Sequence, residues 1–396
     1  MRPPIRIITF TTLYPNSAQP SHGIFVENRL RHLLASGRVT SRVVAPVPWF
    51  PSALARFSAQ YAAYSSVPAA ERRSEVDVLH PRYPVLPKIG MTIAPLLLYA
   101  RALPLLRRLR NDTRGFDLID AHYFYPDGVA AVLLGQALRK PVVITARGTD
   151  INLIPRHVLP RAMIRYAARK ASGIIAVSQA LKEAIVELGV SADRVRVLRN
   201  GVDLAMFRPG DRAAARTRFG VDGPTLLSVG HLIERKGHDL VIGALSSLPG
   251  FKLMIAGEGP ERGALERLAT ELGVAARTKF LGRIAHEQLA DVYSAADALV
   301  LASSREGWPN VLLEAMACGT PVVASNIWGN PEVIARPEAG VLMVERTRVG
   351  VAAAVRTLFA ALPDRSATRR YAEGFSWDDT TEGQIRIFAE VLAGSG

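Results

Sequence analysis

Short apolar runs rich in β-branched residues alternate along this chain with longer segments in which apolar positions recur at helical spacing. In the first half, the runs that predict buried strands are "IRIITF", "SRVVAPV", "FDLIDAHY", "PVVITA", "GIIAVS" and "RVRVLRN". The helical segments between them include "FVENRLRHLLASG", "GVAAVLLGQALRK" and "QALKEAIVELGV". Strands that alternate with helices in this way are typical of a parallel, doubly wound α/β sheet.

The same alternation begins again after residues 206–224, a polar passage with glycine and proline that is typical of an interdomain connection. The strands predicted beyond it are "TLLSVG", "FKLMIAG", "TKFLGR", "ALVLAS", "PVVAS" and "GVLMV". We therefore predict two Rossmann-like domains in tandem, residues 1–208 and 209–372. In open sheets of this kind ligands bind at the carboxyl ends of the strands, so we expect a site in a cleft between two facing domains.

Charge is distributed unevenly, because the net charge of +14 comes from the first half of the chain. Residues 1–208 contain 29 Lys and Arg against 13 Asp and Glu, whereas residues 209–396 contain 20 against 22. A basic surface attracts nucleic acid, anionic lipid or phosphate-bearing substrates. The chain has no zinc-finger spacing and no basic stripe interleaved with aromatic residues, so no nucleic-acid partner is expected.

Several features favour the cytoplasm. Cys318 is the single cysteine and cannot form an internal disulfide. The first ten residues lack the apolar core and the cleavage site of a signal peptide. The most apolar run, Met91–Leu106, contains Arg101 and two prolines and is shorter than the roughly 20 apolar residues of a membrane span. We expect neither export nor insertion into a bilayer.

The segment "EGWPNVLLEAMACGTPVVAS", residues 306–325, places two glutamates eight positions apart around a helix start. Asn310 is predicted to cap a helix over Val311–Cys318 that ends at a glycine before a buried strand. The free amides and the positive dipole of such a helix start favour a phosphate. Glu306 and Glu314 would flank that anion and accept hydrogen bonds from sugar hydroxyls on either side, with Gly307, Trp308 and Pro309 between them.

In the stretch "LLSVGHLIERKG" an apolar strand runs into a loop that carries two cations, Arg235 and Lys236. Cations at the carboxyl end of a strand are well placed to bind a diphosphate, although two solvated loop cations would give the same pattern. In the next turn, "AGEGPERGAL", Gly257 and Gly259 permit a tight approach to a helix, which is common in α/β proteins.

The first domain has its own polar residues at predicted strand ends. His122 follows one strand, Arg147 and Asp150 follow the next, and Asn200 follows a third. Gly23 opens a helix after the loop "TTLYPNSAQPSHG" and would allow a close approach of the backbone. Each position has a structural alternative: a histidine satisfied in the core, a turn glycine or a capping side chain.

Over nearly its full length the chain resembles the family 4 glycosyltransferases of the GT-B fold. The resemblance is carried by "LYPN" with "GIF", "DLIDAHYFYPDG", "RGTD", "VLRNGVD", "SVGHLIERKG", "AGEGP" and, most specifically, "EGWPNVLLEAMACGTPVVAS". Among such enzymes it is similar to those of bacterial surface-polysaccharide assembly. The resemblance implies an α/β fold of two Rossmann-like domains that face each other across a cleft.

The resemblance also implies roles for individual residues. Glu306 would hold hydroxyls of the donor sugar, Glu314 the ribose, and Arg235 with Lys236 the pyrophosphate. The donor-binding set implied is Gly23, Arg235, Lys236, Gly307, Trp308, Pro309, Asn310, Val311 and Glu314, and the catalytic set is His122, Glu306 and Asp150.

His122 matches the family histidine beside the transferred sugar, and Asp150 matches an acidic position on the acceptor side. Two departures concern the donor: His231 stands where many members have Arg, and Arg147 where many have His. Arg235 is the expected substitute for the missing cation.

The chemistry implied by the family is transfer with retention of configuration from a nucleoside diphosphate sugar, UDP rather than GDP, without metal or cofactor. The helix start and the two cations would stabilise the departing diphosphate. The sequence contains no Asp-x-Asp pair of the kind used by metal-dependent sugar transferases.

The family further implies a terminal helix over residues 373–396, anchored by Trp377, that crosses back to the first domain. The apolar patch before Arg101, Arg107, Arg108 and Arg110 resembles an in-plane membrane helix with cations at headgroup level. We expect peripheral binding to the inner face of the cytoplasmic membrane and a lipid-linked or cell-surface glycan acceptor. A core helix with a solvated basic end is the alternative.

Three other functions fit parts of the pattern. A nucleotide-sugar epimerase of the same fold would need further acids near the anomeric carbon, and His122, Asp127 and Asp150 could serve. A glycoside hydrolase is disfavoured, because it has no use for a phosphate cradle. A non-catalytic module that binds sugar nucleotides is the third.

Overall fold

The computed structural model describes residues 3–50, 64–85 and 90–394. The chain divides into two compact units, of which the first comprises Met1–Arg199 with Asp378–Gly396 and the second comprises Asn200–Trp377. The predicted boundary at 208/209 lies shortly after this division, and the final stretch of the predicted terminal segment belongs to the first unit.

The first unit is built on a twisted sheet whose strand order is β10-β9-β8-β7-β1-β2-β5-β4. Neighbouring strands are parallel except the edge pair of β4 and β5. A small parallel pair joins β3 and β6. The strands are β1 Ile5–Phe10, β2 Val39–Val44, β3 Val47–Trp49, β4 Ala70–Arg73, β5 Val76–Leu79, β6 Arg82–Pro84, β7 Leu118–His122, β8 Val142–Ala146, β9 Gly173–Ala176 and β10 Val195–Val197.

The central strands β7 and β8 are buried along their whole length, as expected for a parallel sheet covered on both faces. The covering helices of this unit are α1 Ile24–Ala35, α2 Gly90–Asn111, α3 Val129–Leu138, α4 Thr149–Asn152, α5 Val158–Lys170 and α6 Gln179–Glu187. One face packs against α1 and against the last helix of the chain, since Leu30, Val143, Ile175 and Phe388 share one core cluster.

The second unit repeats the architecture with a parallel sheet of strand order β13-β12-β11-β14-β15-β16. Its strands are β11 Thr225–Val229, β12 Lys252–Ala256, β13 Thr278–Gly282, β14 Ala298–Leu301, β15 Val322–Ser325 and β16 Gly340–Met343. Its helices are α7 Arg212–Phe219, α8 His238–Leu245, α9 Arg262–Glu271, α10 Leu289–Ala295, α11 Asn310–Ala317, α12 Asn330–Val333, α13 Arg348–Ala360 and α14 Arg365–Glu373, before α15 Trp377–Ala393.

The order of strands reverses beside β11, because β12 lies on one side of it and β14 on the other. The loops that follow β11 and β14 therefore leave the sheet as neighbours at its carboxyl edge. Doubly wound folds bind ligands at this switch point.

Helix α2 carries the apolar and basic patch that the sequence singled out. Its buried residues are Pro95, Leu98, Ala102 and Leu106, which form one face of the helix. The arginines of the patch are exposed. The helix thus packs into the first unit along one side and presents a basic side to solvent. Among the described residues, none of the helices combines the length and the apolar character that a bilayer crossing requires.

Candidate functional site

A buried ion pair lies at the carboxyl edge of the second unit's sheet. Lys236 donates from Nζ to Oε1 of Glu306 across 2.7 Å, and the two side chains are only 14% and 11% exposed. Lys236 ends a short 3₁₀ turn after β11, and Glu306 follows β14. The predicted cation and acid therefore meet at the switch point.

Arg235 completes this group without binding the acid closely. Its NH1 donates to the carbonyl of Arg305 at 2.8 Å and lies 3.9 Å from Oε1 of Glu306. Burial opposes ionisation of Glu306, but the charge and hydrogen bond of Lys236, with smaller contributions from Ser303 and Arg235, lower the pKa of its carboxyl. Glu306 is thus an anion held between two cations.

Glycine at 237 allows the two loops to meet. Its φ is +68°, and a Cβ built there would lie 2.2 Å from the carbonyl oxygen of Ala302 at the end of β14. Any side chain would separate the turn after β11 from the turn after β14. The turn that carries Lys236 can therefore reach Glu306 only with glycine at this position.

The segment between the two glutamates differs in one detail from the prediction. Pro309, not Asn310, occupies the cap position, and no side chain caps the helix. Asn310 is the first residue of α11, and its Oδ1 accepts from Nδ2 of Asn200 at 3.2 Å. The indole of Trp308 donates to the carbonyl of Asn200 at 3.0 Å. The prediction of Asn310 as N-cap is wrong, because its side chain bonds to Asn200 instead of to its own helix.

Gly307 and Trp308 are buried, whereas Val311 in the first turn of α11 is partly accessible. Together with Pro309, which is also buried, they connect Glu306 to the helix start, so the predicted donor-binding run forms one continuous and largely buried turn. The loop is fixed by the two bonds of Asn200, a residue predicted only as a possible contributor.

Glu314 lies one turn further along α11 and is engaged by two side chains that the sequence did not single out. Tyr293 donates its hydroxyl to Oε2 at 2.8 Å, and Nε2 of His286 lies 3.4 Å from Oε1. Tyr293 is fully buried, and burial with the nearby Glu314 charge raises its pKa well above the usual value. Tyr293 appears in the sequence as an ordinary helix residue, so no local pattern indicated this contact.

His231, the residue in place of the family arginine, is exposed and bonds through Nδ1 to the carbonyl of Glu258. The turns after β11 and β12 press together here, since a Cβ at Gly259 would lie 2.3 Å from the carbonyl oxygen of Leu232. His231 therefore links two loops at the edge that holds Lys236.

In the first unit, His122 is the last residue of β7 and its two ring nitrogens have different partners. Nε2 lies 3.1 Å from Oδ2 of Asp120, and Nδ1 lies 2.5 Å from NH2 of Arg147. An arginine only donates and a carboxylate only accepts, so Nε2 carries the proton and Nδ1 accepts. The residue is 1% exposed, and burial, with the Arg147 charge, lowers its pKa to about 4 although Asp120 opposes the shift.

Asp150 has a carboxylate bonded to backbone amides. It accepts from Phe124 at 2.6 Å, from Gly148 at 2.7 Å and from Arg147 at 3.1 Å. Burial raises its pKa, and these amide bonds partly offset that effect. The geometry fits an acid that holds the turns after β7 and β8 together, and a catalytic role for it stays a prediction.

Asp127 is another buried acid of this unit, which the sequence singled out only for the epimerase alternative. Its Oδ2 accepts from the amide and hydroxyl of Thr12, both at 3.0 Å, and from the hydroxyl of Thr11. Burial raises its pKa to about 8, against these hydrogen bonds. Asp127 therefore anchors the loop after β1.

Gly23 immediately precedes α1 with a φ of +70°, and it packs closely against the loop after β1. A Cβ there would lie 2.3 Å from the carbonyl carbon of Leu13. Glycine is needed at this position for the packing of the chain itself, and its predicted proximity to a donor is not tested by this contact.

The residues predicted from sequence thus fall into one cluster per unit. The second unit brings together Arg235, Lys236 and Glu306 beside the start of α11. The first unit brings together His122, Arg147 and Asp150. Within the described residues, no group of three or more His, Cys, Asp or Glu side chains is arranged to hold a metal ion.

Comparison with known families identifies the chain. The family model "Glycosyltransferase Family 4" matches residues 20–206, and "Glycosyl transferases group 1" matches residues 211–375. The two matches together span most of the sequence. The chain belongs to the family 4 glycosyltransferases. The resemblance drawn from the motifs is confirmed.

Solved structures share the fold of this chain over nearly its full length. Sucrose-phosphate synthase from Thermosynechococcus elongatus is 21% identical, with a TM-score of 0.78 over 99% of this chain and 100% of that one. The Anabaena protein HepE, solved in complex with UDP and glucose, is 22% identical, with a TM-score of 0.72 over 98% of this chain and 100% of that one. These likenesses confirm the predicted GT-B fold of two Rossmann-like units.

Curated relatives match about half of the chain. D-inositol 3-phosphate glycosyltransferase of Mycobacteroides abscessus is 37% identical over 211 residues, which is 50% of this chain and 47% of that protein. The enzyme of the same name from Mycobacterium tuberculosis is 35% identical over 218 residues, 52% of this chain and 45% of that protein. The matched region therefore spans less than half the length of these curated relatives.

Proposed function

We propose that this family 4 glycosyltransferase transfers a sugar from a nucleoside diphosphate sugar to an acceptor hydroxyl. The observation that carries the proposal is the ion pair of Lys236 and Glu306, with Arg235 beside it, at the switch point of the second unit. Burying a carboxylate between cations costs desolvation, and such a group at the ligand-binding edge of a sheet is a candidate functional site. In a site that binds a diphosphate, the carboxylate of Glu306 would occupy the two cations until the diphosphate replaces it.

The pair suggests how the donor would be received. Lys236 and Arg235 turn toward the diphosphate when it arrives, and Glu306 is released to accept hydrogen bonds from hydroxyls of the sugar. As the glycosidic bond breaks, charge builds on the diphosphate, and the same cations with the start of α11 stabilise it. Glu314, already oriented by Tyr293, would accept from the ribose.

The finer chemistry follows from family membership and belongs to the proposal. We propose retention of configuration, a UDP-sugar in preference to a GDP-sugar, and no requirement for a metal or cofactor. The Anabaena protein in complex with UDP and glucose supports the choice of base. Full activity in the presence of a chelator is the expected behaviour, and loss that Mg²⁺ or Mn²⁺ restores would contradict it.

For the acceptor we propose a lipid-linked or cell-surface glycan, reached by peripheral binding at the inner face of the cytoplasmic membrane. One structural neighbour, WaaG, is described as involved in lipopolysaccharide biosynthesis. The chain offers a basic first half and an exposed apolar pair, Val158 and Leu159, at the start of α5 beside Arg156 and Arg161. Apolar side chains among cations suit an anionic bilayer surface.

Release of nucleoside diphosphate across a panel of nucleotide sugars, with a membrane extract as acceptor source, tests the proposal. Glu306→Gln and Lys236→Met should each lower turnover by roughly 100-fold, in the range seen when one charge-stabilising donor is removed. Lys252→Met is the matched control, because Lys252 also forms an ion pair in the second unit but does so with Asp222, whose side chain is exposed. Turnover that survives both site changes would refute the proposal.

Product analysis in the same assay separates the alternatives. A sugar nucleotide recovered with inverted configuration at one carbon and no free diphosphate would indicate an epimerase. Saturable binding of a nucleotide sugar without acceptor-dependent release would leave only a binding module.

A further inference from the structure

Gln384, on the last helix of the chain, lies in the first unit close to His122. It is 1% exposed, and both ends of its amide are bonded. Oε1 accepts from Nε of Arg29 at 2.8 Å, and Nε2 donates to Oδ2 of Asp120 at 2.9 Å. The neighbours fix the amide in one orientation, because Arg29 can only donate and Asp120 can only accept.

The same oxygen of Asp120 also faces Nε2 of His122. Asp120 is fully buried, so the position of its carboxylate depends on the donors around it. The bond from Gln384 holds that oxygen where the imidazole N–H can reach it. The other ring nitrogen is thereby left as an acceptor toward Arg147.

The position of Gln384 is fixed by the packing of helix α15 against the first unit. A Cβ at Gly383 would lie 2.5 Å from Cδ2 of Leu198, so the helix approaches the strand ends closely. One turn before Gln384, Thr380 donates its hydroxyl to the carbonyl of Arg199. Ile385 and Phe388 belong to the core cluster of the first unit.

We infer that Gln384 is a positioning residue for His122: through Asp120 it selects the neutral imidazole tautomer with the proton on Nε2 and so fixes the ring at the end of β7. A histidine is oriented and its tautomer selected by the hydrogen bond of its second nitrogen. The significance of this ring for sugar transfer rests on the proposed function. The hydrogen-bond relay itself does not.

Long-range proton–nitrogen NMR of the full-length chain labelled with ¹⁵N-histidine reads the tautomer directly, with His122 assigned by His122→Gln. At neutral pH the wild type should show a protonated Nε2 and an unprotonated Nδ1. Gln384→Met keeps the shape of the side chain but removes both bonds, and it should abolish this single-tautomer pattern. Gln384→Glu, which still accepts from Arg29 but cannot donate to Asp120, should do the same and provides a second variant if the first does not fold.

Thr380→Val is the matched control, since it removes a buried hydrogen bond of the same helix without touching Asp120. It should leave the His122 pattern intact. A wild-type ring protonated on Nδ1, a pattern retained in the folded Gln384 variants, or equal disturbance by Thr380→Val would each overturn the inference.

Kinetics add a readout that a merely structural role would not produce. Gln384→Met should lower kcat roughly tenfold, the lower end of the loss seen when the supporting bond of a metal-bound histidine is removed, with the donor KM little changed. If the wild type turns over no nucleotide sugar, the proposed function fails while the NMR result still decides whether Gln384 positions His122.

Discussion

Glu306 and Asp127 are both buried carboxylates, and their surroundings shift their pKa values in opposite directions. Lys236 and Arg235 keep Glu306 ionised despite burial. Asp127 accepts hydrogen bonds from Thr11 and Thr12 and lies near Asp150, and burial dominates these effects and raises its pKa to about 8. Glu306 is therefore held as an anion beside two cations, whereas Asp127 anchors the loop after β1.

The raised pKa of Asp127 predicts a pH dependence of stability. The unfolded carboxyl titrates near its ordinary value and the folded one near pH 8, so the stability that this group contributes is complete at acidic pH and is lost as the pH rises toward 8. Asp127→Asn cannot ionise and should remove that slope, which amounts to at most roughly 1.4 kcal/mol per pH unit.

Thermal unfolding of wild type and variant from mildly acidic to mildly alkaline pH measures the effect. The wild-type midpoint should fall relative to that of the variant as the pH rises. Asp150 and Tyr83 are the titratable neighbours of Asp127 and are present in both proteins, so parallel curves would show that Asp127 does not titrate as inferred.

Single residues also show which parts of the site the sequence could predict. Glu306 and Lys236 lie in the loops that follow two predicted strands, so the rule that ligands bind at the carboxyl ends of the strands was enough to predict both at the same edge of the sheet. Tyr293 and Gln384 lie inside helices and reach the site only through tertiary packing, which no local pattern encodes. Asn310 has the ideal chemistry for a cap, yet Asn200, 110 positions earlier, competes for its side chain.

At the scale of elements, the loops after β11 and β14 determine the positions of Lys236 and Glu306. Gly237 permits close contact between the two loops, because the carbonyl oxygen of Ala302 occupies the space that a Cβ would need. Gly250, in the loop before β12, has a similar positive φ of +79° but nothing within 4 Å of the position where its Cβ would lie. A comparison of Gly237 with Gly250 therefore separates the strain of a left-handed conformation from the steric overlap of an added Cβ with the backbone.

Gly237→Ala should therefore destabilise the second unit more than Gly250→Ala. Both changes carry the left-handed penalty of roughly 1–2 kcal/mol, and only the first adds overlap with the backbone, worth roughly 1–3 kcal/mol more. Scanning calorimetry of the two variants measures the difference in the free energy of unfolding. Equal losses would mean that the loop relaxes and that close contact does not hold Lys236 in place.

Most elements follow from periodicity, because strands buried on both faces and amphipathic helices leave clear apolar patterns. The exceptions lie at the edge of the first sheet. Strand β4 has the sequence Ala-Glu-Arg-Arg, with partly or fully exposed residues throughout, and pairs antiparallel with β5. An exposed edge strand needs no apolar alternation, so its sequence resembles a loop.

At the scale of the whole molecule, the excess of positive charge in the first half supports binding to an anionic surface. Exposed apolar residues with arginines nearby occur in both units, however. Val158 and Leu159 are 77% and 56% exposed next to Arg156 and Arg161, and Val344 and Val349 of the second unit are 96% and 78% exposed next to Arg346 and Arg348. Only the first pair lies in the strongly basic half of the chain, where residues 1–208 contain 29 Lys and Arg against 13 Asp and Glu. The proposal of membrane binding concerns the first pair.

Flotation with anionic and neutral liposomes tests this proposal. The wild type should float with anionic vesicles, and binding should weaken as salt rises, since exposed charges are screened within about 10 Å at 0.1 M ionic strength. Replacing Val158 and Leu159 by serine should reduce binding severalfold, while serine at Val344 and Val349 should not. Equal flotation of both double variants, or none by the wild type, would contradict the proposal.

The last helix has a consequence for how the protein is made. Ile385, Ile387 and Phe388 belong to the core of the first unit but follow every residue of the second unit in the sequence. During synthesis, the sheet face that they cover therefore stays open until the whole second unit has left the ribosome. The usual vectorial order, in which the amino-terminal domain matures before the next one, cannot hold for the core of this first unit.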